Sequence, residues 1–278
     1  KRKKFEDFPI SIELNKPYFY ADVEMRDERK NSKLLLDLGN SDAIWLFPSL
    51  IKNFIYNRPN IDDFLGRGFN GDIYGKRSRI HGLYFGSFSF DKPLTAMPDE
   101  FSIQHLKLVE GRKGSEGSEI LRRFKVVFDY PNQKMYLQKN KYYGDPFLFN
   151  KSGLDIKHDG LVWQQDLVKV ETKAKPVDGI EVFSNKNDFQ YKFVLKPQYS
   201  VAGCRKDSPC DEAGILKDDK IVKIDGRAAG NFSLNDIYEL FKDPEERSVN
   251  LEVERNFKIL KFNFKLVDPI PYQENENP

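Results

Sequence analysis

The chain has 278 residues and a mass of 32.5 kDa, a length that suits two domains. Hydrophobic residues at 39% against 32% charged exclude a disordered chain, and the 14% aromatic share, carried by 23 Phe and 13 Tyr, favours strands. Its 45 basic and 43 acidic side chains nearly cancel, no basic stripe is interleaved with aromatics, and no apolar run nears the ~20 residues of a spanning helix. Neither nucleic-acid binding nor a membrane span is therefore expected.

Lys1-Arg2-Lys3-Lys4 reads as a solvated tail. Pro9 to Leu14 and Tyr18 to Met25 alternate apolar and polar residues, the period of a half-buried strand. A turn is expected over Arg26 to Ser32, and then Lys33-Leu34-Leu35-Leu36 is apolar on both faces, a strand covered on both sides. It runs into Asp37-Leu38-Gly39-Asn40-Ser41 before Ala43 to Phe47 resumes the apolar character. A carboxylate at the end of such a strand is costly unless partnered, and Gly39 lets the chain turn tightly enough for backbone N–H groups to face it. That is the first sign of chemistry.

A short helix is expected over 49–57, followed by two glycine-punctuated hairpins between Gly66 and Phe90, one of them able to overhang a cleft. His81 falls between Ile80 and Gly82, a surface or flap position rather than a catalytic one. Tyr74 and Tyr84 are the aromatic candidates in this region. Ser115 and Ser118 have no His or Asp in a triad-like context, so no serine nucleophile is expected. Ile120 to Phe124 reads as a turn of helix, and Lys125 to Gln138 as a strand, a turn and a strand.

The polar stretch Lys139 to Pro146 marks a domain boundary near residue 144. Beyond it come strands, a short helix over Ser208 to Gly214 with Pro209 near its first turn, the strand and turn Ile221 to Gly226, and an amphipathic helix from a Ser233 N-cap to Phe241. A closing hairpin turns around Asn256, and the proline-bearing segment 269–278 is expected as a loose tail. Cys204 and Cys210 stand six positions apart. A disulfide would fit an exported protein and two thiols a cytosolic one, and the sequence leaves both open. No metal site and no cofactor are expected.

Leu34 to Ser41 resembles the hydrophobic-Asp-Thr-Gly-Ala-Ser signature of retropepsin-like and pepsin-like aspartic proteases. Gly114 to Phe124 followed by Val126 to Tyr130 is similar to the second, Gly-containing element of those lobes. The resemblance covers residues 8–138 and matches bacterial members that end in a PDZ domain. It implies peptide-bond hydrolysis by two aspartates sharing a proton, with Asp37 as one of them and Gly39 and Ser41 in the supporting loop. The sequence departs from the pattern at Leu38, where the family has Thr or Ser, and at Glu116, where an apolar residue precedes the Gly. It also holds one such aspartate only, since Asp178-Gly179 and Asp225-Gly226 read as turns. The second aspartate must then come from a preceding lobe, the favoured source since related bacterial proteins look like two tandem lobes followed by PDZ, or from a homodimer. The alternative is a degenerate lobe in which Asp37 bonds its own turn.

Lys151-Ser152-Gly153-Leu154-Asp155-Ile156 resembles the carboxylate-binding loop of PDZ domains, and Ser208 to Gly226 is similar to the bacterial PDZ core motif, with Asp218 where a Gly is usual. This implies a peptide groove between Leu154–Ile156 and the 233–242 helix, with Ser152, Gly153, Leu154, Asp155 and Ile156 as binding residues. The segment 160–198 exceeds a minimal PDZ and is expected to add strands or a hairpin.

The expectation is thus a mainly β chain, an aspartic-protease-type lobe (1–143) followed by a PDZ-like domain (144–268). It would be an aspartic peptidase homologue of a bacterial periplasm or secretome, with polypeptide substrates or peptide C termini as partners. The rival is a catalytically inactive scaffold that binds peptide through the PDZ domain.

Overall fold

The computed structural model describes residues 4–25, 28–52, 54, 58–68, 71–104, 106–169, 189–243 and 246–271. It divides into two units, Lys1–Phe149 with Asp268–Pro278, and Asn150–Val267.

The first unit is a β lobe. In chain order it has β1 (Glu6–Pro9), β2 (Ser11–Glu13), β3 (Lys16–Met25), β4 (Glu28–Asp37), β5 (Ile44–Leu46), β6 (Ile61–Gly68), β7 (Gly71–Arg79), β8 (Gly82–Phe85), β9 (Phe88–Asp91) and β10 (Leu94–Pro98). There follow α1 (Glu100–Ile103), β11 (Arg112–Gly117), α2 (Ser118–Leu121), β12 (Phe124–Asp129) and β13 (Lys134–Lys139). Ten strands form one sheet in the order β6-β7-β10-β5-β11-β4-β3-β8-β9 with β2 on β3, and β1-β13-β12 form another. The apolar alternation read along β3 is realised: Phe19, Ala21 and Val23 point into the core with Phe85, Phe88 and Phe90. Four of these rings and Phe124 meet edge-on or tilted, with centroids 4.7 to 6.2 Å apart, the arrangement aromatic quadrupoles prefer.

Four expectations need correcting. The turn expected over Arg26 to Ser32 is mostly strand, because β4 begins at Glu28 and pairs it with Met25; residues 26 and 27 lie outside the described ones. No helix forms across the described part of 49–57. Pro48–Leu50 makes one 3-10 turn and Ile51 is already extended, with the Leu50 carbonyl held by Lys113 Nζ. Positions 53 and 55–57 lie outside the described residues. The boundary falls after Phe149 rather than near 144, since Phe147 and Phe149 still pack on the lobe core. Nor does residue 268 open a loose tail. Ile270 is 1% exposed within the same core, and its carbonyl accepts from Arg79 Nε at 3.1 Å; residues 272–278 lie outside the described ones.

The second unit is a six-stranded sheet in the order β14-β15-β16-β18-β19, with β17 on β16. Its elements are β14 (Leu154–Lys169), β15 (Phe189–Cys204), α3 (Pro209–Glu212), β16 (Lys220–Ile224), β17 (Arg227–Ala228), α4 (Leu234–Phe241), β18 (Ser248–Arg255) and β19 (Lys258–Lys265). α4 starts on a capping box, with Ser233 Oγ accepting the Asp236 N–H and the Asp236 carboxylate accepting the Ser233 N–H. Ile237 and Phe241 project from it into a core with Val249, Leu251 and Val253. The extra length expected over 160–198 is β14 and β15 running on beyond the sheet, for β15 pairs with β16 only at Tyr199 and Ser200. Residues 170–188, Asp178-Gly179 among them, lie outside the described residues. Among the described residues no helix is long and apolar enough to cross a membrane.

Candidate active site and peptide groove

Asp37 is the last residue of β4, whose Lys33 to Leu36 are all buried. β11 runs parallel to β4 and antiparallel to β5, so it lies between them and brings Gly117 opposite Asp37. Opposed residues share a sheet face. One face therefore carries Lys33, Leu35 and Asp37 with Arg112, Ser115, Gly117 and Trp45, and the other carries Leu34 and Leu36 with Glu116, Ile44 and Leu46.

The turn after Asp37 is closed by its own polar groups. The Gly39 N–H donates to Asp37 Oδ1 at 3.1 Å and the Asn40 N–H to the Asp37 carbonyl at 3.2 Å. Among the described residues no side chain donates to the Asp37 carboxylate. Asn40 is clasped from the second element: the Ser118 N–H and Oγ both donate to its carbonyl, at 2.7 and 2.9 Å. Gly117 allows this approach, because a Cβ there would run into the Asp42 carbonyl. Leu38 supplies no hydroxyl and is 63% exposed, so Ser118 is the hydroxyl that ties the two elements together. Ser41, expected in the supporting loop, is exposed.

Asp42 continues the turn. It accepts Trp45 Nε1–H at 2.6 Å and pairs with Arg77 of β7, which also reaches Asp63 of β6 at 2.8 Å. Burial works against the Arg77 charge, but the two carboxylates outweigh it and raise its pKa. The β6–β7 hairpin is thereby fastened to the Asp37 turn. Tyr74 lies on this hairpin, exposed, its ring edge-on to Phe64 at 5.6 Å. Tyr84 lies elsewhere, on β8 under the Arg29 guanidinium, and the His81 N–H donates to the Glu24 carbonyl.

Two buried ionisable groups lie on β11. Arg112 donates to the Gly114 carbonyl and to Ser115 Oγ at 2.8 Å, and burial lowers its pKa against the pull of Tyr18 and Asp37. Glu116 is 0% exposed with both carboxyl oxygens unpartnered, and burial pushes its pKa well above the ordinary glutamate value.

In the second unit, the residues expected to hold peptide do come together, but their polar groups are engaged. Gly153 sits at φ +78°, where a side chain would be strained and would meet Ser208. The Ser152 N–H donates to Asn150 Oδ1 at 3.0 Å, and the Leu154 N–H to Ser152 Oγ at 3.0 Å. From α4, Tyr238 Oη accepts the Ile156 N–H at 3.1 Å and donates toward Asp155 Oδ1 at 2.7 Å and the Ile156 carbonyl at 3.2 Å. Burial, followed by Asp155, pushes the Tyr238 hydroxyl up to about 12, with the Ile156 N–H pulling the other way. Cys204 and Cys210 form a disulfide, Cα atoms 6.1 Å apart.

Tyr238 and Asn150 were not singled out by sequence, and Ser118 was weighed there only as a nucleophile. Ser118 and Tyr238 act through tertiary contacts, whereas Asn150 bonds Ser152 and Leu154, two and four positions away.

A search of characterised proteins by sequence finds no match. Among solved structures the chain is similar to a retropepsin-like aspartic protease from Rickettsia conorii, at 17% identity and TM-score 0.30 over 48% of this chain and 100% of that one. It is similar to the HtrA-type protease AlgW with decapeptide, at 10% identity and TM-score 0.30 over 95% and 79%. It is also similar to Basic 7S globulin from soybean, at 10% identity and TM-score 0.31 over 96% of each. The family model described as PDZ domain matches residues 200–255. The chain is thus mainly β, a β lobe joined to a unit that contains a PDZ domain.

Proposed function

We propose that this chain is an aspartic peptidase homologue that acts on polypeptides. The observation that carries the reading is the setting of Asp37: a half-exposed carboxylate ending a strand buried on both faces, in a turn clasped by Ser118 from a parallel neighbour. Asp37 supplies one half of a dyad, and a preceding lobe of a longer protein or a second copy supplies the other. One carboxylate takes a proton from water while its protonated partner donates to the scissile carbonyl. Like charges that close ionise one at a time, so activity follows a bell in pH. The PDZ domain holds the polypeptide. The Cys204–Cys210 disulfide supports an oxidising compartment, the periplasm or the exterior of a bacterium.

The test is cleavage of an unfolded substrate between about pH 4 and 7 by the full-length protein and by Asp37→Asn. Loss of cleavage in the variant supports the reading, and equal rates remove Asp37 from the mechanism. A second reading, an inactive lobe serving as scaffold for the PDZ domain, is favoured by exposed Leu38 in the place of a bracing hydroxyl. It predicts no cleavage by either protein with peptide binding intact.

A further inference from the structure

A strand that docks against a sheet edge needs backbone N–H and C=O groups there to be free. On β14 they are taken in two different ways. At the loop end, the Asn150 side chain occupies the Ser152 N–H through Oδ1 and donates from Nδ2 to the Leu154 carbonyl at 2.7 Å, while Ser152 Oγ takes the Leu154 N–H. Ser152 Oγ also donates back to Asn150 Oδ1 at 2.7 Å. This cap is built in: Ser152 is 0% exposed and Gly153 is buried, so opening it breaks a closed ring of hydrogen bonds in the interior. At Ile156 the cap is a single side chain. Tyr238 Oη accepts the N–H and shares its one proton between the C=O and Asp155 Oδ1, and one rotation about the Tyr238 side chain frees the N–H and C=O together.

The N–H groups of Ser152 and Leu154 lie in the loop expected to receive a terminal carboxylate. They are spent inside the fold, and Asp155, exposed beside them, repels an anion. Past Ile156, β14 continues to Lys169 as the outermost strand of its sheet. A ligand strand can therefore pair along β14 from Ile156 toward Lys169, and at the capped loop it finds neither the Ser152 nor the Leu154 N–H free for a terminus. Resting on the peptide-binding reading of the PDZ domain above, we infer that this groove takes a chain-internal, extended polypeptide segment, added as a strand at Ile156 after Tyr238 turns aside. It does not capture a C-terminal carboxylate.

The probes are two versions of one random decapeptide array, one with free C-terminal carboxylates and one with acetylated N termini and amidated C termini. Each is measured against the full chain and against Tyr238→Phe. The variant keeps the ring and removes the hydroxyl, so binding should tighten roughly tenfold as Ile156 is released. Amidation should change affinity by less than about twofold, on the premise that no hydrogen bond is made to the terminus. Amide exchange reports on the edge directly: Ile156 should exchange faster in Tyr238→Phe, while Leu154 stays protected. Binding lost on amidation overturns the inference and leaves the peptide-binding reading standing. Unchanged affinity or unchanged Ile156 exchange in Tyr238→Phe overturns the part given to Tyr238. If neither array binds either protein, the peptide-binding reading fails and takes this inference with it.

Discussion

Glu116 offers a measurement that reads the interior of the lobe directly. Its carboxyl lies among Leu36, Ile44 and their neighbours with no partner for either oxygen. Even neutral, a carboxyl desolvated without hydrogen bonds costs about 1–3 kcal/mol. Glu116→Leu removes that cost and should stabilise the lobe by about this amount at pH 4. Above the ordinary value of 4.5 the unfolded chain loses its proton while the folded one keeps it. The folded state then binds more protons, so stability falls as pH rises, by about 1.4 kcal/mol per unit until the raised folded value is passed. The advantage of Glu116→Leu should therefore widen as the pH rises above 4.5. The assay is urea denaturation from pH 4 to 8, followed by Trp45 fluorescence in a Trp163→Phe background, because these are the two tryptophans and one lies in each unit. Wild type and Glu116→Leu running parallel across that range would show that Glu116 is not held uncharged in the fold, and the reasoning would be wrong.

Further outcomes follow from other contacts. Arg123→Ala should destabilise the lobe by about 3–5 kcal/mol in thermal unfolding, since the buried guanidinium holds the Glu119, Tyr143 and Asp145 carbonyls and lies 4.0 Å over Phe147. Arg123→Lys should recover little of that, because a single ammonium cannot span the set. Reduction of Cys204–Cys210, which closes a loop with a separation of 6, should cost the second unit about 2 kcal/mol. The Cys204→Ser/Cys210→Ser protein should melt at the reduced protein's temperature and ignore the reductant. Ser233→Ala breaks the capping box and should lower the second unit's stability by about 1 kcal/mol, visible as a shift of its urea midpoint without a change in slope.

What could be read from sequence was what depends on near neighbours. The double-sided apolar run Lys33 to Leu36 located the covered strand and so the position of Asp37, and the alternation in β3 marked its inward face. Ser233 announced the start of α4 because capping is a three-residue event. The contacts that define the sites span far longer intervals. Ser118 reaches Asn40 across 78 positions, and Tyr238 reaches Ile156 across 82. Neither residue differs locally from an ordinary surface serine or a helix tyrosine. The helix expected over 49–57 failed for the complementary reason: Pro48 permits one turn, but the Phe47 N–H and Leu50 carbonyl are claimed by Lys113 on β11. Composition likewise misjudged the segment after residue 268, where two prolines surround an isoleucine that belongs to the core.

That isoleucine bears on how the protein can be taken apart. The polypeptide leaves the lobe at Phe149 and returns to it at Asp268, so the PDZ-containing unit is an insertion into the lobe rather than an appendage. A fragment ended at residue 149 would lack Ile270, and Arg79 would lose the Ile270 carbonyl and the Asp268 carboxylate while keeping the Phe147 carbonyl. Such a fragment would begin with a hole in its apolar centre and an ill-satisfied guanidinium beside it. To obtain the lobe alone, Phe149 should instead be joined to Asp268 through a short flexible link, with residues 150–267 excised as a block.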